Sequence, residues 1–388
     1  MPILERPLVV VGDVHLSHGS RRDSGRALAE LVRAHRGAEI MLNGDIFNLS
    51  LDAPERAPSD SVLAMLRAEP ELREAVRAHL TGAGRLTVLP GNHDAALADP
   101  ETRALLLGWL DLGEGAPLTC SRWFEKRGKI HVEHGHAYDP DNAPTHPLVR
   151  PSVTTEPLGV ALTRRFLAPN RAFDFAHATE ITPLEAIVRA TRVFGARMPL
   201  LLARYLVTAG RFCRQAGWRP ELAREREHGD ILLRGAASEL GLDVEILRAL
   251  DDDRPRPTHE SFERAFFRLY FDRIVATAGA SAGVGLGALA KSRSLYGLAA
   301  LSALYLLESQ RRGRNRYEGL PVRRLRQASA RVRDITGAEL VIFGHTHVAE
   351  ATAGYMNPGS FTYRAGEPRP YAFVGTNGGV ERRFVTAS

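Results

Sequence analysis

The sequence predicts an α/β protein in which a layered β-sheet core is split by a large all-helical insertion. Three observations lead there. From Leu8 to about Asp141, short apolar runs alternate with helical periodicity, the pattern of an α/β sheet. From about Thr145 to Arg333 the pattern is nearly all helical and rich in Arg, Leu and Ala. From Ala338 the strand pattern returns. Residues 1–144 and 334–388 are therefore expected to form one core, with 145–333 as its cap.

Taken in order, residues 9–11, 40–42 and 86–89 read as buried strands, with helices over 21–35 and 61–79 between them. Another strand runs over 129–132, and four follow the insertion at 340–343, 349–353, 371–375 and 381–385. An apolar fraction of 44% and a charged fraction of 25% exclude a disordered or fibrous chain. Two cysteines, Cys120 and Cys213, are too few for a disulfide framework or a thiolate metal site and suit a reducing compartment. The N-terminus lacks the pattern of a signal peptide, so a cytoplasmic location is expected.

The chemistry-bearing residues recur at predicted strand ends. Gly12-Asp13-Val14-His15, Asn43-Gly44-Asp45, Gly91-Asn92-His93-Asp94, Glu133-His134-Gly135-His136 and Gly344-His345-Thr346-His347 each follow a strand. In an α/β sheet the carboxyl ends of the strands form the ligand crevice, so the five segments are expected to converge. Each supplies oxygen or imidazole donors, and the glycines let the backbone turn sharply after the strand. Asp13 and His15, two apart, point the same way if their segment is extended, and His345 and His347 do likewise.

In order and spacing these segments resemble the calcineurin-like metallophosphoesterases, whose set is Asp-x-His, Gly-Asp-x-x-Asp, Gly-Asn-His-Asp/Glu, His and Gly-His-x-His. The resemblance implies an αββα core of layered sheets and a two-metal site. It gives one ion to Asp13, His15, Asp45 and His347, and the other to Asp45, Asn92, His134 and His345, with Asp45 bridging. It implies hydrolysis of phosphoester or pyrophosphate bonds by attack of a metal-bridged hydroxide, and it makes His93 the group that stabilises the phosphoryl oxygens and protonates the leaving oxygen. Two cations about 3.5–4 Å apart can clamp a phosphoryl group in this way. Oxygen and imidazole donors suit Mn, with Fe, Zn or Mg as alternatives.

Asn48 departs from the pattern, because the family commonly has a carboxylate there. Asparagine can orient the His93 ring but carries no charge to stabilise its protonated form, so a lowered His93 pKa is expected. Three further residues are candidates for substrate contact: His136 at strand spacing from His134, Arg21 just after the first motif, and Asn142 in the Asp139–Asn142 turn. Each has a plain structural alternative: a packed histidine, a solvated helix start and an ordinary turn. The segment Tyr355-Met-Asn-Pro-Gly-Ser360 resembles the turn that follows the last histidines in bacterial members and reads as scaffold.

The net charge of +6 is not uniform. Residues 145–333 hold 31 basic and 19 acidic residues, a balance of +12, leaving −6 for the rest. Within the insertion, 17 residues from Ile274 to Ala290 and 14 from Ser294 to Leu307 carry no charge, and arginines are dense on both sides. Gly279, Gly283 and Gly287 give two small-residue spacings that permit close helix contact. Both stretches are shorter than the ~20 residues of a full membrane span. A buried helical hairpin is the plain reading. A membrane-associated cap with arginines on anionic headgroups is the second. A nucleic-acid cap is less favoured, because no aromatics interleave with the arginines.

The leading expectation is thus a metal-dependent phosphoesterase acting on a phosphate-containing, lipid-linked substrate, peripheral at the inner face of the cell membrane. A narrower resemblance is to the bacterial UDP-2,3-diacylglucosamine hydrolases, which also place a helical cap over the metals. Here the cap is much longer, and His93 stands where that branch often has arginine. The alternatives are a soluble phosphatase or nucleotide phosphodiesterase, a nuclease with a basic cap, and a non-enzymatic membrane scaffold.

Overall fold

The computed structural model describes residues 4–18, 23–52, 55–172, 183–217, 219–313, 315–362 and 367–385. Its strands are β1 (Leu8–Val11), β2 (Glu39–Asn43), β3 (Arg85–Leu89), β4 (Leu118–Cys120), β5 (Phe124–Arg127), β6 (Ile130–Glu133), β7 (Leu340–Ile342), β8 (Glu350–Thr352), β9 (Tyr355–Asn357), β10 (Arg369–Val374) and β11 (Val380–Val385). They form a six-stranded sheet in the order β11-β10-β1-β2-β3-β4 and a five-stranded sheet in the order β5-β6-β7-β9-β8. β1 to β4 run parallel, as do β6, β7 and β9.

Strand periodicity explains the layering. Val9 and Val11 face the helices Asp23–Ala34, Pro58–Arg67, Pro70–Thr81 and Thr102–Leu110, where they join Leu28, Leu31, Val76 and Leu106. Leu8 and Val10 point the other way and meet Ile130, Val132, Leu340 and Ile342 of the second sheet. The far side of that sheet buries Phe124, Val341 and Phe343 against Leu233, Leu247, Leu325 and Val332. These last four lie on the helices Pro220–Leu240, Val244–Asp253 and Leu320–Thr336. The result is a four-layer αββα core.

That fourth layer moves the expected domain boundary. One compact unit holds Met1–Val160, Arg219–Pro257 and Pro321–Ser388, and the other holds Ala161–Trp218 and Thr258–Leu320. Residues 219–257 and 321–333, assigned to the cap on helical pattern alone, pack with the sheets because their apolar stripes complete the second sheet's outer face. The helix expected over 61–79 is two helices, since Pro70 cannot continue the first and constrains Glu69 before it. The sequence does not announce strands β4, β5 and β9: Leu118–Cys120 and Phe124–Arg127 offer no apolar run, and Tyr355–Asn357 lies in the segment that reads as a turn.

The second unit contains an antiparallel pair of helices, Phe271–Ala290 and Arg293–Arg311, turned at Lys291 and Ser292. They approach closely through glycine: a Cβ at Gly283 would lie 2.6 Å from the Leu295 carbonyl oxygen and 2.9 Å from the Ala299 Cβ. The plain reading of a buried hairpin does not hold. Leu289, Leu301, Leu304 and Leu307 are 83%, 68%, 61% and 61% exposed.

Candidate metal centre

The parallel strands carry their motifs to one place. Asp13 and His15 follow β1, Asp45 follows β2, Asn92 and His93 follow β3, His134 follows β6, and His345 and His347 follow β7. Main-chain hydrogen bonds tie these loops together: Asp13 N to Gly44 O (3.1 Å), His15 N to Asp45 O (2.9 Å) and Gly344 N to His134 O (3.0 Å). The backbone is not extended here, as the two-residue spacing had suggested. Asp13, His15, Asp45, His345 and His347 all have positive φ, at 55°, 51°, 50°, 67° and 59°. Such conformations are strained for residues with a Cβ and cluster where a site imposes them. Gly91 serves close approach instead, because a Cβ there would sit 2.2 Å from Asp45 Oδ1.

Two overlapping donor groups result among the described residues, Asp13 with His15 and His347, and Asp13 with Asp45 and His134. His347 Nε2 lies 3.1 Å from both Asp13 Oδ1 and His15 Nε2. Asp45 Oδ2 lies 3.3 Å from His134 Nε2 and 3.9 Å from His15 Nε2, between the two histidines that the resemblance gives to different ions. The residues fit a metal. Asp13 Oδ1, Asn92 Oδ1 and His134 Nε2 are buried without a hydrogen-bond partner. His134 Nδ1 donates to Asn43 O (2.9 Å), which leaves Nε2 as the ligand atom. His345 donates from Nε2 to Asp139 Oδ2 (3.0 Å), which leaves its Nδ1.

The electrostatics belong to a cation site. Burial penalises the Asp45 carboxylate, but His134, His93 and His15 outweigh it and hold its pKa well below the usual range. Burial works against a charged His134, yet Asp45 and Asp13 push its pKa up to about 10. Burial dominates at His15 and brings it down to about 3, with Asp45 opposing. A divalent cation takes the place of the proton in such a set.

Around the donors stand residues that hold them. Asp94 accepts from the main-chain N–H groups of Gly91 (2.7 Å), Asp45 (3.1 Å), Ile46 (2.6 Å) and Phe47 (3.0 Å), which binds the β2 loop to the β3 loop. Asp45 Oδ1 accepts from His93 N (2.8 Å). Asn48 does not contact the His93 ring directly. Ser50 Oγ donates to Asn48 Oδ1 (2.7 Å) and lies 2.6 Å from His93 Nδ1. Its one proton being given to Asn48, Ser50 accepts from Nδ1–H, which leaves His93 Nε2 for chemistry. Burial lowers the His93 pKa, with Asp45 opposing.

Among the softer candidates, Asn142 sits beside the centre: its Oδ1 accepts from Asn92 Nδ2 (3.2 Å) and its Nδ2 donates to Asp139 Oδ2 (2.8 Å). The His136 ring lies 5.4 Å from that of His134 and 6.4 Å from that of His345, and its Nδ1 is buried without a hydrogen-bond partner. Arg21 lies outside the described residues. The Tyr355–Ser360 segment begins as strand β9 rather than as a turn. Asn357 Nδ2 donates to Gly344 O (2.6 Å), and Ser360 Oγ donates to Asp13 O (3.2 Å), so the segment braces both histidine- and aspartate-bearing loops. Asp139, which the turn composition offers with Asn142 as a rim residue, stands against His345 and Asn142. Ser50 has no distinguishing pattern of its own, being a hydroxyl in turn-rich sequence.

Residues 6–178 match the family model of calcineurin-like phosphoesterases, a span that includes the first four motifs. Over that span, a little under half of its length, the chain is similar to this family. No curated protein and no solved structure matches it, so the narrower diacylglucosamine-hydrolase resemblance gains no support from comparison. The family implies divalent metal ions and phosphoester hydrolysis, and the donor group Asp13, Asp45 and His134 lies within the matched span.

Proposed function

We propose that this phosphoesterase holds two divalent ions, manganese first among them, and hydrolyses a phosphoester or pyrophosphate bond in a lipid-linked substrate at the cytoplasmic face of a membrane. The observation that carries the chemistry is the convergence of Asp13, His15, Asp45, His134 and His347, with Asp13 Oδ1 and His134 Nε2 buried and unsatisfied. Asn92 and His345 extend the set. Bound there, divalent ions supply Lewis acidity toward phosphoryl oxygens and an activated water. The chain supplies the rest. Asp45 stands between the histidines of the two groups and fixes the His93 backbone. His93 keeps Nε2 for a phosphoryl or leaving-group oxygen. Ser50 and Asn48 set its ring. The exposed hairpin in the second unit, with its two uncharged stretches, supports the lipid-linked class of substrate.

The test is metal analysis together with a hydrolysis panel: p-nitrophenyl phosphate, bis(p-nitrophenyl) phosphate and UDP-diacylglucosamine, each with and without liposomes. Metal-dependent turnover is expected, fastest on the lipid-linked pyrophosphate with liposomes. A metal-loaded protein that hydrolyses none of them overturns the reading. Turnover of small nucleotides without lipid enhancement favours a soluble phosphodiesterase instead.

Ser50 is a positioning residue and is separable from the metals. Ser50→Ala is expected to lower kcat about ten- to a hundredfold with KM and bound metal unchanged, and Ser50→Thr to restore most of it. Equal rates for wild type and Ser50→Ala, or failure of threonine to rescue, would show that the hydroxyl does not set the ring.

A further inference from the structure

The hairpin of Phe271–Ala290 and Arg293–Arg311 has a surface that water does not explain. Phe271–Ala290 is long and apolar enough to cross a membrane by length and composition. Its apolar side chains are exposed around its circumference: Val275 (58%) and Val284 (57%) are nine residues apart, half a turn out of phase, and both face outward. On the second arm Leu298 (47%), Leu301 (68%) and Leu304 (61%) are equally open. A helix apolar all round belongs in a protein core or in lipid. A pair of hairpins docking in water needs only one apolar face each and would keep the other polar.

The ends carry the groups of an interface. Between Arg273 and Lys291, and between Arg293 and Glu308, no residue is charged. At the base, aromatics do interleave with the arginines, contrary to the expectation from sequence: Arg268 stacks over the Tyr317 ring at 4.0 Å and Arg316 over that of Tyr270 at 4.7 Å, an aromatic and arginine belt of the kind found at headgroup depth. The Arg311 and Arg312 side chains are 84% and 77% exposed there. At the turn stand Lys291, Arg293 and the half-exposed Tyr296. The unit holding the hairpin has 18 basic and 8 acidic residues, a balance of +10. The charge therefore matches an anionic surface.

We infer that this hairpin inserts into the hydrocarbon core of an anionic bilayer, base arginines on the headgroups of the near leaflet and the Lys291–Arg293 turn directed toward the far one. The uncharged arms rise about 25 and 21 Å at 1.5 Å per residue, more than one leaflet of a hydrocarbon core about 30 Å thick. The long side chains of Lys291 and Arg293 extend the reach. Glycine contacts at Gly279, Gly283 and Gly287 hold the arms together without help from water, as packing in lipid requires.

The inference stands apart from the phosphoesterase reading, and one experiment separates them. The full-length protein is floated with phosphatidylcholine vesicles and with phosphatidylcholine/phosphatidylglycerol vesicles, in low salt and in about 1 M salt, where surface charge is screened. Wild type is expected to float with the anionic vesicles and to stay bound in high salt. The double variant Val284→Asp/Leu301→Asp changes two exposed mid-arm positions. It is expected to lose at least tenfold in bound fraction while keeping wild-type turnover of soluble bis(p-nitrophenyl) phosphate. Three results each overturn insertion: no flotation of folded wild type, flotation of the variant equal to wild type, or release of wild type by salt. A wild-type dimer that the variant converts to monomer, without vesicle binding, would assign the face to a second copy of the chain.

Discussion

Asp45→Asn is expected to lower kcat/KM for bis(p-nitrophenyl) phosphate by about a thousandfold or more, and to reduce bound metal below the wild-type content. The substitution is nearly isosteric, so it removes charge with little loss of packing. Its Oδ1 can still accept from His93 N, a contact of 2.8 Å in wild type. Its other atom becomes an amide nitrogen facing His134 Nε2, where the carboxylate oxygen stood 3.3 Å away. A donor there competes with any cation between Asp45 and His134. The loss of Lewis-acid charge stabilisation is worth several kcal/mol, and about 4 kcal/mol is a factor of a thousand. Metal content by mass spectrometry and turnover are measured on the same preparation. Activity within tenfold of wild type at unchanged metal content would show that Asp45 is not a metal ligand.

This centre was legible in the sequence because its donors are confined to short glycine-containing segments at the ends of apolar strands. What held them was not. Asp94 binds two loops through four main-chain N–H groups, a role that belongs to folded geometry and leaves no spacing signal. Ser50 was hidden for the same reason: its partners, Asn48 and His93, lie 2 and 43 residues away, and only the fold brings the second one near. The positive φ of Asp13 and His15 reversed the extended-strand argument for their common direction. Convergence came instead from the loops that follow different strands, pinned to one another by main-chain hydrogen bonds.

The architecture divided similarly. The strands β1, β2 and β3, each at least four residues long and almost wholly buried, announced themselves as apolar runs. The fourth layer was concealed by composition. The helix Leu320–Thr336 carries five arginines, Arg323, Arg324, Arg326, Arg331 and Arg333, and reads as part of a basic cap. Its fully buried apolar residues are Leu325, Ala328 and Val332 at helical spacing, with Ile335 packed beside them. Bulk charge reports the outer face of such a helix, whereas its place in the fold is decided by the inner one.

Leu325→Ala tests that placement with a large expected effect on stability. Leu325 is fully buried with Phe124, Val341 and Phe343 from the second sheet, across from the site loops. A Cβ on Gly135 would lie 3.2 Å from Leu325 Cδ2 and 3.1 Å from Phe343 Cγ, so the leucine packs against the loop residue that follows His134. Truncation removes the side chain's transfer energy and leaves a cavity between helix and sheet, at a cost of about 2–5 kcal/mol. For a unit of this size that lowers the melting temperature of the αββα core by on the order of 10 °C. Because the cavity opens against Gly135, metal affinity is expected to fall with it, although Leu325 touches no ligand. Calorimetry of the full-length protein, with and without added manganese, reads both effects. If the helix were a loosely attached part of a cap, the core transition would move by no more than a degree or two, and the metal dependence would stay that of the wild type.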